Sequence, residues 1–389
     1  MKKTRASGNS MRQRTDTYET VTEERAVRAL ESEWDALHAC SREHRFSRSF
    51  RWCWTTWEAV ERPQGCRLYV LVAREGTRAT LIWPFVVTRE LCWRVARPLG
   101  AAYGEYADAL VEDGPEADTR LAAAWHQVRA HCPADLVIVP WVRADSALHR
   151  LLESERDARV TGSVTSLAVQ WSPEQDWESY ERARGPELRR HLRKGQRELA
   201  PLGRLEFEVT EGGSRCVEVV EWLLPRKVQQ LKVSHRRGPW LETEAYRNLL
   251  CEAAMRPSPS GGLATFALKV DGRLIAALMA RRDARRIEML NTVFDPAYAR
   301  YRPGHVLMAN VLRWTLARRL DCDLRIGDFQ YKRRWSNTAC DAVTYVCVNS
   351  RMGRVQLAYR TMRERLRRAR RRFRNRLRGV LGRRSAPAG

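Results

Sequence analysis

The sequence predicts an α+β fold of two tandem modules, each a mixed central sheet flanked by helices, followed by a C-terminal basic amphipathic helix. Three observations predict it. In "LATFALKVDGRLIAALMARRDARRIEMLNTVF", residues 263–294, two apolar runs meet at Asp271-Gly272 and a third follows "RRDAR", which reads as a hairpin plus a third strand. A similar hairpin in the first half, "RLYVLVA" and "RATLIWPFVV" around "REGT", also leads on to a helix pattern and a buried strand. Finally, Arg360 to Gly389 hold 13 Arg and one acidic residue, Glu364, a net +12 of the chain's +24.

Taken in order, residues 1–20 form a basic polar leader. A helix over 23–39 places Val27, Leu30, Trp34 and Leu37 on one face, and a second contains 51–60. The hairpin 67–87 follows, then a strand over 93–100, a helix over 117–132 and a buried strand over 134–142. This module spans 21–165. The second, 166–350, opens with a strand over 166–171 and a basic helix over 181–199, broken near Gly185-Pro186. A strand over 204–211, helices over 215–233 and 242–255, and the three strands of 263–294 come next. A helix within 300–316 and strands over 322–328 and 342–348 complete it. Residues 351–389 form the arginine-rich tail.

A chain of 389 residues, 44% hydrophobic, can bury a core for about two to three domains. The ten Cys form no CxxC pair and no Cys/His set has zinc spacing, so no metal is expected and reduced, buried thiols are. Cys251 lies in the apolar helix pattern "YRNLLCEAAM", where a core role outweighs a nucleophilic one. The N-terminus lacks the apolar middle of a signal peptide, and no run of 18 apolar residues occurs. The expected location is the cytoplasm.

The stretch "RYRPGHVLMANVLRWTL", 300–316, runs from arginines through Pro303-Gly304 into an apolar helix. One reading is a turn into a core helix. The other is a phosphate cradle, because a helix N-terminus offers free N–H groups and the positive end of its dipole.

Three segments, "LKVDGRLIAALMA", "NTVFDPAYARYRPGHVLMANVLRWTL" and "RIGDFQYKRRW", together resemble the GNAT superfamily of acetyltransferases, and within it the CelD-like, cellulose biosynthesis-associated group. The resemblance covers 166–348 well and 23–165 more loosely. It implies two GNAT-like modules, an architecture related to the Fem-type peptidoglycan aminoacyltransferases. It also implies acetyl-CoA, or another acyl-CoA, as acyl donor. "RPGHVL" keeps the Arg302 and Gly304 of the superfamily's pyrophosphate loop and lacks its second glycine. The N–H groups of Gly304, His305 and Val306, with the charge of Arg302, are the implied phosphate ligands, and Asn291 lines the pantetheine cleft.

Acyl transfer needs a base, donors for the carbonyl oxygen and an acid for the leaving thiolate. "GDFQYKRRW" supplies candidates: Asp328 as base or acceptor-orienting group, Tyr331 as acid, and Lys332 to polarise the carbonyl or hold an anionic acceptor. Trp335 is assigned to substrate binding; the alternative is packing. His305 is a further base candidate, with a structural role weighed above it. Arg190, Arg193 and Lys194 on the basic helix would hold a phosphate-bearing acceptor, or they are a solvated face. Weaker candidates are Arg237, Trp240, Glu242 and Glu244, and in the first module Tyr103, Tyr106 and Asp108.

In the tail, over 359–382, Met362, Leu366, Ala369, Phe373, Leu377 and Val380 recur at steps of three and four among arginines. This amphipathic pattern suits an anionic membrane surface, at the inner face of the cell membrane, and nucleic acid is its rival. The expected activity is direct acyl transfer, N- or O-, to a sugar-like or cell-envelope polysaccharide precursor, the acceptor being a small molecule or lipid-linked. The alternatives are Fem-like transfer from aminoacyl-tRNA, and a non-catalytic membrane- or nucleic-acid-binding protein on a degenerate GNAT fold.

Overall fold

The computed structural model describes residues 16–41, 45–101, 105–234, 238–258, 261–363 and 366. In the first half, β1 (Thr17–Val21) precedes α1 (Glu24–Ala29), α2 (Glu31–Cys40) and α3 (Phe50–Thr56), which continues into a π-helical turn at Trp57–Glu61. Next come β2 (Arg67–Glu75), β3 (Arg78–Glu90), β4 (Trp93–Pro98) and the short β5 (Leu110–Val111). The half closes with α4 (Ala117–His131), β6 (Leu136–Arg143), α5 (Ala147–Ser154) and β7 (Ala158–Val169).

The second half begins with α6 (Trp177–Ala183) and α7 (Pro186–Leu199). It then repeats the plan: β8 (Leu205–Glu211), α8 (Gly213–Val233), α9 (Glu244–Met255), β9 (Gly262–Val270), β10 (Arg273–Arg282), β11 (Arg286–Phe294), α10 (Pro303–Ala317), β12 (Asp321–Ile326), α11 (Gln330–Trp335) and β13 (Thr338–Val348). A last helix, α12, starts at 351 and runs through 363.

Among the described residues thirteen strands form one sheet, in the order β1-β2-β3-β4-β6-β13-β7-β12-β11-β10-β9-β8, with β5 attached to β3. Its ladders are antiparallel except β4–β6 and β11–β12, which occupy equivalent places in the two halves. The closing strands are exchanged. β7 ends the first half but pairs with β12, and β13 ends the second but pairs with β6. They also pair with each other along most of their length. The strand expected over 166–171 is therefore the end of a longer one, and the module boundary expected at 165/166 falls inside β7.

Local chemistry explains the joints. Asp271 and Gly272 both have positive φ, 46° and 75°, the type I′ geometry that lets Val270 and Arg273 pair directly. Gly185 (φ 91°) caps α7, with Pro186 in its first turn, so the break expected near 185–186 separates two helices. Helices cover both faces of each half, enclosing four apolar cores. Trp34, Trp83, Trp125 and Trp335 are among the largest fully buried side chains. No described helix is long and apolar enough to cross a membrane. Cys251 is half-buried on α9, and burial, with Glu221 beside it, pushes its thiol up to about 11, which disfavours the thiolate.

Candidate functional site

The site is a fork between β11 and β12. Their parallel ladder covers Arg286↔Asp321, Ile287↔Cys322 and Glu288↔Asp323, and then ends. On its other edge, β11 pairs Asn291 with Met279 and Met289 with Ala280, so Leu290 is an extra residue. Such a bulge bends the strand and re-aims the residues beyond it. After β11, the Asp295 carboxylate accepts from Ala297 N (3.0 Å) and caps the 3-10 turn Pro296–Tyr301, which delivers the chain to α10.

Arg302 stands at the head of α10 in the left-handed region (φ 57°, ψ 43°), uncommon for a residue with a β-carbon. The amides behind it differ. His305 N–H is already bonded to Arg302 O at 3.0 Å, and Val306 is fully buried. Gly304 is only half-buried. It has no positive φ, and an added β-carbon would meet only Phe294, at an ordinary 3.5 Å, so neither backbone nor packing requires glycine here. Of the three expected phosphate ligands, Val306 is buried and the His305 amide is taken by Arg302 O, which leaves Gly304 as the best placed.

α7 crosses this segment. Its apolar stripe is Leu188, Leu192, Gly195 and Leu199, and a β-carbon on Gly195 would lie 3.0 Å from both Tyr301 O and Val306 Cγ2. The close approach brings His191 to His305 (ring centroids 5.4 Å, planes tilted 53°), and Trp335 lies 6.1 Å from His305. Both histidines have a buried Nδ1 without a hydrogen-bond partner. Burial, then His191, Arg334 and Arg302, pushes His305 down to about 4, so it is neutral near pH 7. Arg190, Arg193 and Lys194 lie on the exposed side of α7, with Lys194 Nζ 3.6 Å from Glu198.

Several expected roles are corrected by placement. Trp335 is 2% exposed and packs in the core, so it offers no surface to a substrate. Asp328 sits on an exposed turn with both carboxylate oxygens held by Arg333, whose hydrogen bonds keep it below the usual carboxylate range. An anion so stabilised is a weak base. Tyr331 is exposed and stacks on Phe329 (6.1 Å, 9° between planes). Lys332 instead turns inward from α11. Its Nζ donates to Arg325 O (3.1 Å) and Ile326 O (2.7 Å), where β12 ends. Burial, then the Arg325 charge, pushes it down to about 8.

A buried charge network at the base of the fork is not among the sequence-based expectations. The last ladder pair, Glu288 and Asp323, both bind Arg45, the latter at 3.1 Å. Arg281, fully buried, pairs with Glu105 and lies 2.7 Å from Glu288. Arg281 and Glu288 sit on adjacent strands, directly across the ladder. Tyr106 donates to Asp323 (3.1 Å), and Arg143 reaches the same carboxylate at 3.9 Å. Glu105 and Tyr106 come from the first half, so this half builds part of the fork. The available signal was opposite charges inside otherwise apolar strands. Asn291 is hydrogen-bonded with the buried Tyr246, whose phenol is pushed up to about 12 by burial.

Of the weaker candidates, Asp108 lies 3.9 Å from Arg48, Glu242 pairs with Lys232 at 3.6 Å, and Trp240 is exposed. Glu244 opens α9. Tyr103 and Arg237 lie outside the described residues, as do Ala369, Phe373, Leu377 and Val380 of the tail.

Residues 186–333, the span from α7 to α11, match the family model described as an acetyltransferase (GNAT) domain. Over that span the chain is similar to a GNAT acetyltransferase domain. Comparison with curated proteins gives no match. Among solved structures, this chain resembles FemX (TM-score 0.61, 8% identity, covering 87% of this chain and 99% of that one). It also resembles a conserved protein of unknown function from Bacteroides thetaiotaomicron (TM-score 0.50, 11% identity, 81% and 97% covered). Both likenesses concern the fold alone.

Proposed function

We propose that the chain is an acyl-CoA-dependent N- or O-acyltransferase of the CelD-like group, with acetyl-CoA as its donor. The acceptor would be a sugar-like or polysaccharide precursor, small or lipid-linked, at the inner face of the cell membrane. The observation that carries this reading is Gly304. The fold does not demand a glycine there, yet one stands half-exposed at the head of α10, beside Arg302 and the open end of the fork. A diphosphate would accept the Gly304 N–H and, from a suitable tautomer, His305 Nδ1–H, with Arg302 adding charge. Charge-assisted hydrogen bonds of this kind contribute about 1.5–3 kcal/mol each.

When bound, the donor supplies a thioester acyl group. The chain's own residues do the rest. Lys332 is the better base than Asp328, because its Nζ loses a proton near pH 8 while Asp328 is locked to Arg333. The network around Glu288 and Asp323 fixes the base of the fork and excludes water from it. Arg190, Arg193 and Lys194 suit a phosphate-bearing acceptor.

Isothermal titration with acetyl-CoA tests the reading: micromolar binding is expected, weakened by Arg302→Ala and Gly304→Val, and no heat at millimolar concentration overturns it. A second reading, Fem-like transfer from aminoacyl-tRNA, is favoured by one fact: the His305 amide is already taken, which leaves a poor diphosphate loop. Transfer stimulated by aminoacyl-tRNA but not by acetyl-CoA would select it. The arginine-rich tail over 359–382 is read as an anchor on an anionic membrane surface, with nucleic acid the rival partner.

A further inference from the structure

We propose that the folded body itself carries a lipid-facing surface, formed by the tip of the β3–β4 hairpin and the outer face of α12, that seats the protein on an anionic membrane. The proposal deepens the tail reading and rests on it for the bulk of the positive charge.

Large exposed apolar side chains are concentrated here. Eleven are found among the described residues, and six of them are Leu91, Met352, Val355, Tyr359, Met362 and Leu366. The four on α12, Met352, Val355, Tyr359 and Met362, are spaced by steps of three and four, so they form one stripe, and Leu366 keeps the same spacing in the sequence. That stripe cannot turn inward, because the other side of the helix is docked. Gly353 and Gln356 are buried, and a β-carbon on Gly353 would lie 2.1 Å from Asp135 O.

Hairpin and helix form one surface. The Trp93 and Tyr359 rings lie 5.6 Å apart, and Arg360 pairs with Glu90. At the hairpin tip Leu91 is 76% exposed and has φ 58°. Left-handed tips favour glycine or asparagine, so a leucine here defies both backbone preference and solubility. Such a conflict points to a role outside the fold.

Charge selects the occupant. Arg89, Arg94, Arg351, Arg354 and Arg363 are exposed around the apolar stripe. Beyond Leu366 the chain has ten more Arg and no acidic residue. Two copies placed stripe to stripe would bring these charges together, whereas an anionic bilayer neutralises them and accepts the apolar side chains. Nucleic acid would satisfy the arginines but leave the apolar stripe in water.

The test is co-sedimentation of the full chain with phosphatidylcholine vesicles, with and without phosphatidylglycerol. Three variants are compared: Leu91→Asn, the pair Met352→Gln/Tyr359→Ser, and a chain ending at Leu366. Asparagine suits the positive φ, so the hairpin stays folded, and unchanged melting curves check this. Binding to anionic vesicles is expected to weaken about tenfold in each of the two body variants. If only the truncation loses binding, the tail alone anchors the protein and the body surface falls. If none of the chains binds, both ideas fall. Binding to RNA that exceeds vesicle binding and ignores the body variants overturns the proposal for nucleic acid. A dimer that Met352→Gln/Tyr359→Ser dissolves without changing sedimentation overturns it for self-association.

Discussion

Gly195 and Tyr301 meet backbone to backbone: a β-carbon on Gly195 would lie 3.0 Å from the Tyr301 carbonyl oxygen. The contact lets α7 lie across the entry to α10. Gly195→Val should therefore push the 301–306 segment away. Overpacking of this kind costs about 1–3 kcal/mol, partly offset by valine's better helix propensity. The expected signature is a modest fall in melting temperature with a larger loss of acetyl-CoA affinity, since the displaced segment carries Arg302 and Gly304. A fall in stability with unchanged affinity would separate α7 from the binding site.

Arg281→Met tests the buried network. The substitution leaves Glu105 and Glu288 buried without their main partner, and breaking a buried pair this way costs about 3–5 kcal/mol. Burial alone would raise Glu288, but Arg281 and then Arg45 hold it well below its ordinary value. Its contribution is thus present above the unfolded carboxylate range and is lost as pH falls through the folded value. In the variant Glu288 rises and protonates early. The stability gap between wild type and variant should narrow as pH drops below the ordinary carboxylate range, measured by urea unfolding across pH.

Arg281 and Glu288 also show where sequence reading stops. The hairpin at Asp271-Gly272 is legible because turn chemistry and apolar runs agree there. The bounds of β7 are not, because "ARVTGSV" has only small or β-branched residues on its Ala158, Val160, Gly162, Val164 side, which stays largely exposed, and it gains its place by pairing with β13. Arg281 and Glu288 show as charges inside apolar strands, but a single strand does not reveal that its neighbour carries the counter-charge. Lys332 stands out for its chemistry, but its burial depends on α11, a helix of six residues too short to announce itself by periodicity. Trp335 misleads for the same reason: once that short turn forms, the indole has only the core to enter.

Lys332 should set the pH dependence of the reaction. Its amine is pushed down to about 8, so the neutral base appears as pH rises through that value. Activity should climb with pH and level off above about 8. Lys332→Met should abolish the climb. Lys332→Arg keeps a donor for the Arg325 and Ile326 carbonyls but stays protonated, so it should fold and still fail to react. An arginine variant with full activity would make Lys332 purely structural. The same shift has a stability consequence. Between about pH 8 and the ordinary lysine value of 10.5, the unfolded chain holds a proton that the native chain has released, so Lys332 adds stability as pH rises there.

His305 reports directly on anion binding. Its imidazole is held at about 4 by burial and by the positive charges of His191, Arg334 and Arg302. A diphosphate seated at Gly304 would reverse the local field and favour the imidazolium, so the value should move up on binding. Proton NMR of the imidazole, assigned by loss of its signal in His305→Gln, should follow a titration near 4 in the free protein and a higher one with coenzyme A. Desulfo-coenzyme A should act equally, because the diphosphate, and not the thiol, is responsible. An adenosine analogue without phosphate should leave His305 where it is. A titration unmoved by coenzyme A would place the anion elsewhere and return the Pro303-Gly304 stretch to a simple turn into the core.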